Sequence, residues 1–110
     1  MILNTFERLL LRNIVPQIQG WNYAHMKEAR ELLEGLFTEQ EESDLQFEQD
    51  GTQVKWKVAK EDGSLIVQER DIPVSDGLKA KVGKFLKQLD KEERLEFPHM
   101  TLYGKFVETK

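Results

Sequence analysis

The chain contains no cysteine. That excludes a disulfide framework, a thiolate nucleophile and a thiolate metal site, and a chain without such staples reads as intracellular rather than as a small secreted scaffold. No apolar run approaches the roughly eighteen residues of a membrane span. Met1-Ile2-Leu3 passes straight to Glu7 and Arg8, so the N-terminus is not expected to be a secretory signal. The seven glycines stand apart at positions 20, 35, 51, 63, 77, 83 and 104. None forms a phosphate-cradling loop, and HExxH, GxSxG and EF-hand patterns are also missing. No internal repeat, low-complexity tract or Gly/Ser/Pro-rich linker divides the sequence. The expectation is a non-enzymatic protein with no catalytic residues, no metal and no cofactor.

What is there fits one domain spanning residues 1–110. The chain is 39% hydrophobic and 33% charged, enough for one core and too apolar for disorder. Its net charge of −4 is divided unevenly. Residues 1–50 carry four basic and ten acidic side chains, whereas residues 51–110 carry twelve basic and ten acidic. One acidic face and one basic face would follow.

Helices open the chain. Asn4 and Glu7 have the spacing of a capping box, and Phe6, Leu9, Leu10, Leu11 and Ile14 give the first helix a broad apolar surface before Pro16 and Gly20 end it. A second helix is predicted over Asn22–Phe37, with Met26, Ala29, Leu32, Leu33 and Leu36 on one face. Thr38 and Glu41 form another capping box, predicting a short third helix to about Asp44. From Leu45 the apolar period falls to two. Three short runs, separated by Asp50-Gly51 and Asp62-Gly63, predict a three-stranded antiparallel meander in which Val54, Trp56 and Val58 face the core. Ser75 then caps a fourth helix with Leu78, Val82, Phe85, Leu86 and Leu89 on its inner face. Glu96-Phe97-Pro98 breaks it, and Leu102, Tyr103, Phe106 and Val107 mark a fifth. The predicted fold is α+β, with two N-terminal helices, a short third and two C-terminal helices packed on one face of the small sheet.

Few side chains carry chemistry. His25 stands three residues before Glu28, the reverse of the order used in carboxylate-bridged metal sites, and reads as an exposed histidine or surface ion pair. His99 lies in the first turn of a helix, where its charged form is disfavoured, and reads as a local polar contact. The acidic run Glu39, Glu41, Glu42, Asp44 lacks the oxygen spacing and turn glycine of a cation loop. The surface that stands out for interaction comprises Trp21 and Tyr23 at a helix junction, Lys84, Lys87 and Lys91 along the fourth helix, and Tyr103 and Phe106 at the chain's end. Lysines beside an aromatic can track phosphates and stack bases, so nucleic acid is an alternative partner. Against it, Lys55 and Lys57 alternate with Trp56 and would face away from it.

The stretches Phe6-Glu7-Arg8-Leu9-Leu10-Leu11-Arg12-Asn13-Ile14-Val15-Pro16 and Leu102-Tyr103-Gly104-Lys105-Phe106-Val107-Glu108, with Val54-Lys55-Trp56 between them, resemble a group of small uncharacterised proteins of bacteriophages and prophages. The resemblance implies a phage-type accessory protein in the cytoplasm of a bacterial host and brings no catalytic residues. The expected mode of action is binding to a host or phage protein, including self-association, with no membrane involved. The alternatives are a nucleic-acid-associated protein and an oligomer that sequesters a small ligand between protomers.

Overall fold

Capping chemistry places most helix boundaries where the local sequence puts them. In the computed structural model, which describes residues 1–51 and 53–108, the Asn4 side chain accepts from the Glu7 amide at 2.8 Å while Glu7 accepts from the Asn4 amide at 3.0 Å. Helix α1 (Thr5–Ile14) follows this reciprocal cap and ends in a 3-10 turn at Val15–Gln17. Helix α2 (Tyr23–Gly35) starts from the Asn22 cap, and α3 (Glu39–Leu45) from the Thr38–Glu41 box. Ser75 caps α4 (Asp76–Lys91) by accepting from the Leu78 amide. Helix α5 (His99–Tyr103) continues into a π-helical turn over Gly104–Glu108.

The mixed α+β character is present, but the three runs do not form one meander. Strand β2 (Glu48–Asp50) pairs antiparallel with β3 (Gln53–Lys55), with Gly51 at φ +63° turning the chain. The second DG turn is also formed: Ala59 and Leu65 bridge across it and the Ile66 amide donates to the Val58 carbonyl. The third run then leaves. Its end, β4 (Arg70–Asp71), pairs with β1 (Ile2–Leu3) at the very start of the chain. The N-terminal ammonium fastens this second pair by donating to Asp71 Oδ1 at 2.6 Å and to the Ile72 carbonyl at 3.1 Å. The pairing buries Leu3 and Ile72, a gain that continuing the meander would forgo.

The core runs from Leu3, Leu11 and Ile14 through Leu32 and Leu36 of α2 to Leu78, Val82 and Leu86 of α4 and Leu102 and Phe106 at the end. Val54 and Trp56 are half-buried, as the alternation requires, but Val58 is exposed because the chain bends away there. Trp56 lies 6.0 Å from Phe6, ring to ring, and its indole N–H donates to Gln68 Oε1 at 3.1 Å.

Helix α1 departs from its apolar reading. Its most buried side chains include Glu7 and Arg8, both 0% exposed, while Phe6 turns partly to solvent. Charges can be buried there because partners meet most of their polar atoms, Glu7 Oε2 and Arg8 Nε excepted. Arg8 donates to the Leu36 carbonyl at 2.9 Å, Glu41 Oε2 at 2.6 Å and the Gln68 carbonyl at 2.9 Å. Its guanidinium also lies 4.6 Å from the centre of the Phe37 ring. Arg70 reaches Glu41 Oε1 at 3.1 Å and donates to the Gly35 and Leu36 carbonyls. Glu7 accepts from Lys105 at 2.7 Å, and Lys105 also donates to the Ile2 carbonyl. These bonds tie α1 to the end of α2, the start of α3, the segment before β4 and the C-terminal turn.

Candidate functional site

Residues 84, 87 and 91 share one face of a 3.6-residue helix, and on α4 all three lysines are exposed as a stripe. Beside them runs a groove of about 380 Å³ lined by Lys79, Gly83, Lys84, Lys87, Phe106 and Val107. The C-terminal turn crosses α4 at Gly83, where a Cβ would stand 3.1 Å from the Phe106 carbonyl oxygen. Phe106 is therefore a core residue, 4% exposed. Tyr103 is half-buried beside α4; partial burial, then the Asp90 and Glu108 carboxylates, push its phenol above the ordinary value.

The junction aromatics separate. Trp21 closes the corner between α2 and α4, where Lys81 lies 5.4 Å above its ring and donates to the Gly20 carbonyl. Tyr23 stays 84% exposed. The structure thus groups the three lysines but does not gather all seven predicted residues on one surface.

Of the polar side chains singled out from the sequence, Glu28, Glu41 and His99 are engaged locally. His25 does not pair with Glu28; it packs on Gly77, where a Cβ would come within 2.8 Å of Nε2. Glu28 instead accepts from the Ser75 hydroxyl at 2.9 Å. His99 makes a local contact, its Nδ1 accepting from the Glu96 amide at 3.0 Å. Glu41 of the acidic run is turned inward to Arg8 and Arg70. Burial raises its pKa, but the Thr38 amide, the Arg8 hydrogen bond and the charges of Arg8 and Arg70 outweigh that and hold it below its ordinary value. Among the described residues no group of three or more His, Asp or Glu side chains is placed to hold a metal ion.

A larger groove was not legible in the linear pattern. About 660 Å³ in volume, it lies between the outer flanks of α1 and α4, with Leu10, Ile14, Phe85, Leu89 and Leu95 as its apolar lining. Its rim carries Asn13, Gln17 and Gln88, and its end is closed by Glu92, Glu93, Arg94, Glu96 and His99. The closing turn is a Schellman motif: the Arg94 amide donates to the Leu89 carbonyl at 2.8 Å and the Glu93 amide to the Asp90 carbonyl at 3.0 Å. Glu93 occupies its left-handed position, with φ 57°. Just past it, Phe97 is 88% and Met100 65% exposed. The available signal was the width of the apolar surface on α1, wider than one neighbouring layer can cover.

No protein family, curated protein or solved structure matches the chain. The α1–α4 groove exceeds the one beside the lysines in volume and is close to a third, of about 630 Å³, lined by Leu32, Ile72, Pro73, Val74 and Leu78. What sets the α1–α4 groove apart is that its lining residues Glu96 and His99 are next in the chain to the exposed Phe97 and Met100. Among the described residues no helix is long and apolar enough to cross a membrane.

Proposed function

We propose that the chain is a non-catalytic accessory protein that binds another protein through the α1–α4 groove. The observation that carries this reading is the groove itself: two helix flanks leave Leu10, Phe85 and Leu89 half-covered, Leu95 of the segment after α4 joins them, and Phe97 and Met100, next in the chain to the lining Glu96 and His99, stand in solvent. Apolar and aromatic side chains of this kind are typical anchors of a protein interface. Of the groove's polar groups, His99 and Glu92 are engaged in local hydrogen bonds. The setting that goes with this reading is the one the resemblance implies, a phage-type protein in the bacterial cytoplasm. A second reading, association with nucleic acid, draws on the exposed stripe of Lys84, Lys87 and Lys91.

One experiment separates the two. The protein is used to capture partners from bacterial lysate with and without nuclease, alongside a Leu89→Ser/Phe97→Ser variant and a Lys84→Glu/Lys87→Glu/Lys91→Glu variant. Circular dichroism checks that each variant is folded. Protein partners that survive nuclease and are lost only by the groove variant support the proposal. Partners that vanish with nuclease and are lost by the lysine variant overturn it in favour of the second reading; partners that survive nuclease but are lost only by the lysine variant overturn the groove as the binding site.

A further inference from the structure

Both walls of the α1–α4 groove are helical. Leu10, Asn13, Ile14 and Gln17 repeat at steps of three and four on one side, and Phe85, Gln88, Leu89 and Glu92 do so on the other. Two helices side by side present ridges and a trough between them, into which the ridge of a third helix packs. The volume suits its anchoring side chains rather than a whole helix, as when an amphipathic helix lays its apolar face into a groove.

Charge at the groove's end selects among such helices. Glu92, Glu93 and Glu96 stand there, opposed only by Arg94 among the lining residues, and Arg94 is held 3.3 Å from Glu92. Among the described residues Glu93 and Glu96 take part in no ion pair. The C-terminal end of the sixteen-residue α4 adds its negative dipole to the same place. A cation is favoured there and an anion is not. The carboxylate at position 93 is also kept at some cost, because its φ of 57° is a conformation that glycine adopts freely and other L-residues adopt with strain.

We infer that the groove's occupant is a basic amphipathic helix, with apolar anchors at i, i+3/i+4 and i+7 lying on Leu10, Phe85 and Leu89 and a Lys or Arg meeting Glu93 and Glu96. This inference rests on the protein-binding reading above. Helix α4 of a second copy does not serve as the occupant: it carries the lysines, but its apolar face of Leu78, Val82 and Leu86 is buried in its own core.

The probe is a synthetic helix of about 15 residues with leucines at those spacings and lysines on its flanks. A glutamate-for-lysine version and a scrambled version of the same composition serve as controls. Titrated into labelled protein, the lysine peptide shifts the amides of Leu10, Ile14, Phe85, Leu89, Glu93 and Glu96, and its affinity falls as salt is raised. Glu93→Gly weakens binding by about threefold to tenfold while leaving the urea midpoint equal or higher, because the left-handed strain is removed. Glu96→Gln weakens it similarly. Equal binding of the glutamate or scrambled peptide, wild-type affinity in Glu93→Gly, or shifts centred elsewhere overturn the inference. If none of the peptides binds while groove variants still lose their captured partner, the basic helix is wrong and the protein-binding reading stands. If groove variants keep their partner, that reading falls as well.

Discussion

Replacing Arg8 by methionine keeps a long side chain in place and removes one charge from the buried network. Three charge-assisted hydrogen bonds disappear, to the Leu36 carbonyl, Glu41 and the Gln68 carbonyl, each worth about 1.5–3 kcal/mol when made. Full loss would overstate the cost, because the acceptors have other donors. Arg70 still serves Leu36 and Glu41, and the Thr5 hydroxyl reaches the Gln68 carbonyl at 3.4 Å. Methionine also fills much of the volume, and it carries no charge to desolvate. The expected net loss is about 3 kcal/mol, a large part of the roughly 5–15 kcal/mol that holds such a domain together. Urea denaturation at neutral pH, followed by tryptophan fluorescence, measures it. The effect should also depend on pH. Folding favours the charged form of Glu41, so its contribution is complete above the ordinary value of 4.5 and is lost as pH falls through the lower folded value. The gap between wild type and Arg8→Met therefore narrows in that acidic window. A loss under about 1 kcal/mol, or a gap that stays constant well below pH 4.5, would refute this account of the Arg8–Glu41 pair.

Gly83→Ala pits helix propensity, about 1 kcal/mol in favour of alanine, against a Cβ placed 3.1 Å from the Phe106 carbonyl oxygen. The backbone of the C-terminal turn has to yield, so the variant is expected to be less stable by about 1 kcal/mol, with amide shifts at residues 104–108; a gain in stability would mean that the turn gives way to the Cβ without that cost. Trp56→Ala should cost about 2–3 kcal/mol in urea melts, less than the roughly 3–5 kcal/mol of a fully buried aromatic, because the ring is half-buried and holds one hydrogen bond. A loss under about 1 kcal/mol would place it on the surface.

How far the fold could be read from the sequence follows the range of the interactions. Asn4–Glu7, Thr38–Glu41 and Ser75–Leu78 are contacts over three residues, and each helix start they imply is present. The DG turns are equally local, and both form. What failed is long-range. Two residues at the N-terminus carry no periodicity, so the pairing of Ile2 with Asp71 left no trace, although it takes the end of the third run away from the meander. The burial of Glu7 and Arg8 left no trace either, because their partners arrive from positions 36, 41, 68 and 105. The candidate site divided in the same way. The spacing of Lys84, Lys87 and Lys91 was enough to put them on one stripe. The groove needs two helices side by side, and no single segment records that.

The buried charge and the groove are two sides of one helix. Arg8 and Leu10 are two residues apart, about 200° around α1, so a guanidinium fixed on the inner side leaves Leu10 aimed outward. Fixing is what the network does: Arg8 bonds to the end of α2, to α3 and to the segment before β4, while Glu7 holds the C-terminal turn through Lys105. An all-apolar inner face would bury as well, but dispersion is non-directional and would tolerate rotation of α1 about its axis. Three directed bonds from a planar guanidinium do not. The buried arginine thus sets the rotation that presents Leu10 and Ile14 to the groove opposite Phe85 and Leu89. Its substitution should therefore disturb partner binding as well as stability.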